Sequence, residues 1–377
     1  MKKVFLIGNS VLIYRTKKLI NLLYNNGYEV FFSGCFKVSK NLKNKYIKKI
    51  INILENLYIN LFSTYFLLIS DFVILTAANN NNKYLFSLAK LLKKKIITDY
   101  YISNYDTLVI DHKKINKESI KARRLYKNER KKLLKSTKIV FLNESEANYY
   151  TNIVNVNKYD LDYKIIPIGK ETREKAKLRF YNQNKEIFTI CWWGSYIPLH
   201  GLEKIIQAAK ILQEKNFKFK LYILGNSDKK SKKYKELIEK NNLIEQIVLR
   251  NDITFYNGKL TELLVNNCDL ALGNFGDSKK AKTVIVNKII DAIAMKIPVL
   301  NGESKGPEEF FDFENDIWRT KNTPEAIANE IIKISQTSKE NIKKRVNNSF
   351  RIYENNFSIN SFNKKYLQVL TEIRIKK

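Results

Sequence analysis

Short β-type runs alternate with longer helical segments along most of this chain, and the alternation restricts its fold more than any other feature. The apolar run Val4–Ile7 is followed by apolar residues at helical spacing, and Gly27 then ends that helix. Alternation of this kind is typical of parallel α/β units. The strands predicted in the first half are Val4–Ile7, Val30–Ser33, Phe72–Leu75, Lys95–Thr98, Ile139–Leu142 and Ile165–Pro167.

A second series of the same kind begins at Phe188. It follows the polar run Lys170–Glu186, which has no periodicity and is the predicted linker. The length of 377 residues is enough for two domains. We therefore predict two Rossmann-type domains, in which ligands bind at the carboxyl ends of the strands. The strands predicted in the second half are Phe188–Trp193, Leu221–Leu224, Ile247–Leu249, Leu270–Leu272 and Val299–Leu300, and helices dominate from about Thr323 onward.

The net charge of +31 is large and unevenly distributed. Residues 1–170 hold 31 Lys and Arg against 12 Asp and Glu, a net charge of +19. Such a field attracts phosphorylated substrates, an anionic membrane surface or polyanions. The abundance of Lys, Asn and Ile leaves a second explanation open, which is compositional drift in an AT-rich genome. A nucleic-acid partner is not expected, because no RNA motif, zinc spacing or recognition helix accompanies the lysines.

Membrane-spanning and secretory segments are not expected from the sequence. No apolar run reaches the roughly 20 residues that a transmembrane helix needs. The nearest candidate, Leu57–Ile69, is predicted to be a buried helix, with a membrane-surface element as the alternative. Met1–Gly8 has neither the long apolar stretch nor the cleavage site of a signal peptide, and we interpret it as a first strand.

Cysteine and histidine are too sparse for a metal site of the usual spacing. The three cysteines lie far apart and the chain has only two histidines, so we expect no bound metal and a reducing, cytoplasmic location. The residues concerned are Cys35, Cys191, Cys268, His112 and His200.

The segment after the predicted strand Leu270–Leu272 is the most informative for function. Gly273-Asn274-Phe275-Gly276 is a glycine-bearing loop, and the helix that begins near Asn287 leads into the strand that follows Pro298. A helix start offers free N–H groups and a positive dipole end, which suit an anion such as a diphosphate. An ordinary loop–helix–strand unit of an α/β domain would have the same pattern.

Several segments resemble, in the same order along the chain, motifs of the family 4 (group 1) glycosyltransferases. The stretch 287–300 is similar to the donor-sugar end of those enzymes, which reads roughly Lys-x-x-Glu-Ala-x-Ala-x-Gly-x-Pro-Val. Gly194 and Gly201 stand seven apart, as in the family's Gly-Arg-x-x-x-x-Lys-Gly. Collinearity makes the resemblance specific, since each motif alone is weak. The weaker matches are Tyr222–Gly225, Cys268–Leu270, Ile166–Gly169 and Asp99–Thr107.

The resemblance implies a GT-B-like α/β fold, with two Rossmann-type domains facing a cleft and C-terminal helices crossing back to the first domain. The expected divisions are an acceptor domain over 1–170, a nucleotide-sugar donor domain over 171–345 and helices over 346–377. The implied activity is that of a retaining, metal-independent hexosyltransferase, with a nucleotide-diphosphate sugar as co-substrate and no cofactor. The expected acceptor is a glycan or polyprenyl-linked molecule of surface polysaccharide or glycoconjugate synthesis, met in the cytoplasm or at the inner face of the membrane.

The family's site residues are only partly kept. Its diphosphate-binding Arg and Lys correspond to Ser195 and His200, and its paired glutamates correspond to Thr283 and Asp291. Cations and N–H donors near the departing diphosphate lower the barrier to sugar transfer. We therefore expect Lys288 to act in catalysis with His200, the latter protonated or as a neutral hydrogen-bond donor. The residues expected to bind the donor are Gly194, Ser195, Gly225, Asn274, Gly276, Lys280, Thr283, Asn287 and, at the ribose diol, Asp291, and those expected on the acceptor side are Gly8, Asp99 and Asp106.

Each of these side chains also has a structural interpretation. His200 could cap the helix that follows it, Asp291 could be an exposed helix carboxylate, and Lys280 could be a solvated surface residue. Asp99 and Asp106 could brace a turn.

Two other functions are compatible with such a pair of domains. The departures from the family pattern point to a degenerate, non-catalytic protein that binds nucleotide or glycan. A sugar-nucleotide epimerase shares the two-domain fold, but such enzymes rely on several acidic and histidine side chains, and this chain has only two histidines.

Overall fold

A computed structural model describes residues 1–8, 13–32, 44–76, 83–173 and 186–375 of the chain. The chain divides into two compact units. The first unit comprises Met1–Pro167 and Asn363–Lys377, and the second comprises Ile168–Phe362. Each unit holds one six-stranded parallel sheet whose strands are connected by helices, which confirms the predicted α/β class.

The first sheet follows the predicted apolar runs to within a few residues. Its strands are β1 (Lys2–Ile7), β2 (Tyr28–Phe32), β3 (Phe72–Leu75), β4 (Lys95–Asp99), β5 (Lys138–Phe141) and β6 (Tyr163–Ile165). They are connected by α1 (Tyr14–Asn25), α2 (Lys45–Ile69), α3 (Lys83–Leu91), α4 (Ile120–Lys135) and α5 (Glu144–Ile153). The strand order is β2-β1-β3-β4-β5-β6, and all four residues of both β3 and β5 are buried, as in parallel sheets covered on both faces. The predicted strand end at Ser33 lies outside the described residues.

The second sheet has the order β12-β11-β10-β7-β8-β9. Its strands are β7 (Phe188–Trp193), β8 (Phe219–Leu224), β9 (Ile247–Arg250), β10 (Leu270–Leu272), β11 (Val299–Gly302) and β12 (Trp318–Thr320). Its helices are α6 (Leu202–Glu214), α7 (Asp228–Lys240), α8 (Lys259–Asn267), α9 (Asn287–Ala294), α10 (Lys305–Glu308), α11 (Pro324–Ser335) and α12 (Lys339–Asn356), and α13 (Ile359–Ile375) follows. The edge strand β12 was not predicted, because only its first residue, Trp318, is buried and three residues give no periodicity.

The last helices divide between the units at a different place from the expected boundary. The sequence placed all of 346–377 against the first domain, whereas the first unit takes up only Asn363–Lys377, which includes most of α13 and none of α12. Val346 and Phe350 of α12 are buried in the cores of the second unit. The end of α13 is held in the first unit by charge, since Glu372 Oε2 lies 2.6 Å from Lys138 Nζ.

Helix α2 is not the buried helix expected over Leu57–Ile69. Its residues Leu57 and Leu61 are 56% and 70% exposed, while Ser63 and Leu67 on another side are buried. The expectation of burial is wrong, because apolar periodicity identifies an apolar face but not the surface that covers it. Within the described parts of the chain, no helix is long and apolar enough to cross a membrane.

The predicted linker Lys170–Glu186 is described only at its two ends, and 174–185 lies outside the described residues. Lys170 N donates to Phe357 O at 2.7 Å, and Tyr353 Oη donates to Lys170 O at 2.9 Å. Lys170 is therefore an integral part of the second unit rather than a linker residue.

Candidate active site

Two loops of the second unit meet where the strand order of its sheet reverses. The chain runs from β7 outward through β8 and β9, and β10 then lies on the opposite side of β7. In open α/β sheets, ligands bind in the crevice at such a switch point. The loops here are 194–201, after β7, and 273–286, after β10. The candidate site is built from these two loops and from the first turn of α9.

Close backbone contacts lock the two loops together. Phe275 N donates to His200 O at 3.2 Å. Gly201 has a left-handed φ of 62°, and a Cβ there would lie 2.6 Å from the Phe275 carbonyl. A Cβ on Gly276 would lie 2.2 Å from Leu199 O. Only glycine fits at these two positions, so they fix how closely the loops approach.

Lys288 places a buried amine at this junction. The residue lies in the first turn of α9, is 4% exposed, and carries its Nζ 4.0 Å from the centre of the Trp192 ring. Among the described residues, none hydrogen-bonds to this Nζ. Burial lowers the pKa of Lys288 well below its ordinary value. Because an unpaired buried amine costs folding free energy, Lys288 is a candidate for binding an anion.

Gly194 and His200 lie beside the Lys288 amine. A Cβ on Gly194 would lie 3.5 Å from Lys288 Nζ and 3.7 Å from His200 Nε2, so glycine keeps the space beside these two groups free of a side chain. His200 is 8% exposed, and burial together with the charge of Lys288 lowers its pKa to about 2. The imidazole is therefore neutral at pH 7 and is available as a hydrogen-bonding group rather than as a cation.

Asp291 is buried and paired with basic residues. It is 3% exposed, Lys170 Nζ lies 3.1 Å from its Oδ1, and Arg173 Nε lies 3.9 Å from the same atom. Arg173 in turn lies 3.8 Å from the centre of the Phe255 ring. The interpretation of Asp291 as an exposed helix carboxylate is therefore wrong. Lys170 and Arg173 were not expected at this carboxylate, because the sequence placed them in a linker.

The loop after β10 uses several predicted donor-binding residues for its own structure. Asn274 Nδ2 donates to Ala281 O at 2.7 Å, and Thr283 Oγ1 donates to Lys280 O at 3.0 Å. Lys280 is half-buried, and Asn287 is exposed at the start of α9. The amide and hydroxyl groups of this loop thus hold it in shape.

The ends of β7 and β8 meet at a tyrosine. A Cβ on Gly225 would lie 2.1 Å from Tyr196 Oη, so Gly225 is required by packing. Tyr196 Oη donates to Asn251 Oδ1 at 2.7 Å, and burial raises the pKa of Tyr196 to about 12. Asn226 Nδ2 donates to Ser195 Oγ at 3.1 Å, which orients the half-buried Ser195. Tyr196 shapes this side of the site and was missed, because a single aromatic residue in a loop gives no pattern.

The residues expected on the acceptor side lie in the first unit. Gly8 follows β1 with a φ of 151°. Asp99 forms a buried ion pair with Arg15, whose Nε lies 2.9 Å from Asp99 Oδ2. Asp106 Oδ1 accepts a hydrogen bond from Tyr149 Oη at 2.5 Å within a short π-helical turn. These partners account for the burial of both carboxylates, and a role toward an acceptor stays a prediction.

Comparison with known proteins shows which family the second unit resembles. Residues 187–337 match the sequence model of the family described as glycosyl transferases group 1. The matched residues lie within the second unit, which is therefore similar in sequence to a group 1 glycosyltransferase domain. A search of curated proteins by sequence gives no significant match.

Solved structures show that the chain has the GT-B glycosyltransferase fold. Sucrose-phosphate synthase from Thermosynechococcus elongatus matches with a TM-score of 0.72 at 11% identity, over 100% of both chains. HepE from Anabaena, in complex with UDP and glucose, matches with a TM-score of 0.64 at 11% identity, over 98% of this chain and 99% of that one. WaaG, a glycosyltransferase involved in lipopolysaccharide biosynthesis, gives a TM-score of 0.62 at 13% identity, over 98% and 99%. At these identities the likeness establishes the fold alone.

Proposed function

We propose that this protein is a retaining glycosyltransferase that moves a sugar from a nucleotide-diphosphate sugar to a glycan or polyprenyl-linked acceptor in surface polysaccharide or glycoconjugate synthesis. The observation that carries the proposal is the buried amine of Lys288, which has no hydrogen-bond partner among the described residues. This amine lies next to Gly194 and His200, within the segment that matches the group 1 glycosyltransferases. We place the reaction in the cytoplasm or at the inner membrane face, with no metal and no cofactor.

In this proposal Lys288 neutralises the departing diphosphate. Negative charge builds on the diphosphate oxygen as its bond to the anomeric carbon breaks, and a cation held there stabilises the transition state. A bound diphosphate also raises the amine pKa that burial lowers, so Lys288 is protonated in the complex. His200 donates one hydrogen bond in its neutral form. The resemblance to family 4 implies that the acceptor oxygen bonds to the anomeric carbon on the same face, and that its proton passes to the leaving phosphate.

The nucleotide portion of the donor is assigned to the remaining loop residues. Asp291 accepts hydrogen bonds from the ribose diol while it keeps its ion pair with Lys170. The other assignments rest on the resemblance and on position in the two loops or at the adjacent strand and helix ends, and they concern Gly194, Ser195, Gly225, Asn274, Gly276, Lys280, Thr283 and Asn287.

A non-catalytic protein that binds nucleotide or glycan is the second candidate function. His200 is neutral at the position where the family has a cation. Thr283 stands where the family has a glutamate, and its hydroxyl donates a hydrogen bond to Lys280 O within the loop. A protein of this kind would hold a nucleotide at the same loops without transferring a sugar.

A thermal-shift series with UDP, GDP, CDP, dTDP and inorganic phosphate tests the proposed site. One nucleoside diphosphate should raise the melting temperature and phosphate should not, because ligand binding to the folded state alone stabilises it by mass action. UDP is the first nucleotide to try, since HepE was crystallised with UDP and glucose. The matching labelled nucleotide sugar then separates the candidates, because binding without transfer or hydrolysis would favour the non-catalytic protein. If no nucleotide shifts the melting temperature, the result would contradict the transferase and favour a non-catalytic protein that binds glycan.

A further inference from the structure

Helix α2 exposes a continuous apolar face. Residues spaced by three or four along the helix share one side of it, and on this side six large apolar residues are each between 51% and 70% exposed. We call this set the apolar face of α2, and it consists of Ile50, Leu54, Leu57, Leu61, Tyr65 and Leu68. Monomeric proteins rarely leave so long an apolar stripe in water, so the face indicates an interaction surface.

The helix is attached to the first unit by a different side. Ser63 and Leu67 are buried, and Lys94 Nζ donates to Leu68 O at 2.9 Å near the helix end. Tyr84 of α3 lies next to the helix, with its Oη 3.3 Å from Thr64 Oγ1, and is itself 54% exposed. The core of the first unit therefore uses another side of α2, and the apolar face is left to an outside partner.

The dimensions of α2 suit a helix that lies along a bilayer surface. Its 25 residues extend over about 37 Å at 1.5 Å per residue. No described helix can cross a membrane, and α2 combines its apolar face with polar residues such as Asn52, Asn56 and Asn60 elsewhere on the helix. An amphipathic helix of this kind rests in the plane of the headgroups with its apolar side toward the acyl chains.

The positive charge of the first unit favours an anionic partner for the apolar face of α2. Near the start of α2 the sequence carries lysines at 45, 48 and 49, and Glu55 is the acidic residue of the helix. Residues 1–170 have a net charge of +19, which anionic headgroups attract. A second copy of this chain would bring its own charge of +31 to the contact, and that repulsion opposes self-association.

We propose that the apolar face of α2 docks the first unit onto the surface of an anionic lipid bilayer. The docking does not depend on the proposed sugar transfer, because its residues are separate from the donor loops of the second unit. A protein that binds no nucleotide would still bind the bilayer, so an experiment that contradicts one proposal leaves the other standing.

Vesicle flotation of the full-length protein tests this docking, with vesicles of phosphatidylcholine alone and of phosphatidylcholine mixed with phosphatidylglycerol. We expect binding to the mixed vesicles and a partition coefficient lower by roughly tenfold or more in the double variant Leu57→Gln/Leu61→Gln. The matched control is Ile120→Gln/Ile244→Gln, which changes side chains that are 69% and 66% exposed on other parts of the chain and should leave binding unchanged. Equal binding of wild type and the Leu57→Gln/Leu61→Gln variant would overturn the proposal, as would equal binding to neutral vesicles.

A second variant reports on the face directly. In Leu54→Trp the new indole should be quenched by brominated lipid in the mixed vesicles, since it would lie among the acyl chains. Absence of this quenching would overturn the proposal. Light scattering without vesicles addresses the competing partner, because a wild-type dimer that Leu57→Gln/Leu61→Gln converts to a monomer would assign the face to a second copy instead.

Discussion

Arg15 and Lys288 are both buried basic side chains, one in each unit, and they are accommodated in opposite ways. Arg15 Nε lies 3.1 and 2.9 Å from the two oxygens of Asp99, and Arg15 Nη1 donates to Pro167 O at 3.0 Å. Lys288 meets the face of Trp192, with no hydrogen-bond partner for its Nζ among the described residues. The first cation is paired with a carboxylate within the protein and serves the fold, whereas in our proposal the second group finds its partner in a bound diphosphate.

The largest change in stability is expected from loss of the ion pair between Arg15 and Asp99. Replacing Arg15 by Met leaves Asp99 as a buried carboxylate without its partner, which should lower the free energy of unfolding by about 3–5 kcal/mol. Chemical denaturation followed by circular dichroism measures the loss. In Arg15→Met/Asp99→Leu both charges are gone, so this variant should recover part of the stability. A loss below about 1 kcal/mol in the single variant would show that the pair does not stabilise the first unit.

A smaller effect concerns the glycine that sets the spacing of the donor loops. A Cβ at position 201 would meet the Phe275 backbone at 2.6 Å in addition to adopting a left-handed φ, so Gly201→Ala should cost about 3 kcal/mol of stability. Gly258 is the matched control, because it also precedes a helix with a left-handed φ of 75° but has nothing within 4 Å of such a Cβ. Gly258→Ala should cost about 1 kcal/mol. Equal losses in the two variants, measured by chemical denaturation, would contradict the interlocked loops.

The neutral state of His200 predicts a pH dependence of stability. The unfolded residue takes up a proton below about pH 6.5, whereas the folded residue does not do so until about pH 2. Stability therefore falls as the pH drops below 6.5, and between pH 8 and pH 5 this single group should remove about 2 kcal/mol. Comparison of wild type with His200→Gln at both pH values isolates the effect. If the two proteins lose the same free energy of unfolding, His200 titrates normally and the site is more hydrated than its burial indicates.

The sequence predicted the sheets well because fully buried parallel strands are unbroken apolar runs. Phe72–Leu75, Phe188–Trp193 and Leu270–Leu272 were predicted with their actual bounds. Apolar spacing could not show that the apolar face of α2 is exposed to solvent, because it does not tell which surface covers a face. It also could not reveal the strand β12, because three residues are too few to show a period.

The candidate site was predictable only where a motif is local. Gly194, His200 and Lys288 come from two short segments, and the topology of the sheet brings them together. The ion pair of Lys170 with Asp291 joins residues far apart in sequence, and the contact of Tyr196 with Gly225 depends on packing between neighbouring strands. Such pairings follow from the tertiary structure, and a single sequence holds no local signal for them.

The most direct test of the account is the affinity of Lys288→Met for the nucleoside diphosphate selected by the thermal-shift series, measured by isothermal titration calorimetry. Lys279→Met is the matched control, because it removes a lysine from an exposed position in the loop that precedes α9. If Lys288 holds the diphosphate, its replacement should weaken binding roughly a hundredfold without lowering the free energy of unfolding, since an unpaired buried amine is removed. Unchanged affinity in Lys288→Met, or the same loss in Lys279→Met, would contradict the claim that this buried amine is the diphosphate site.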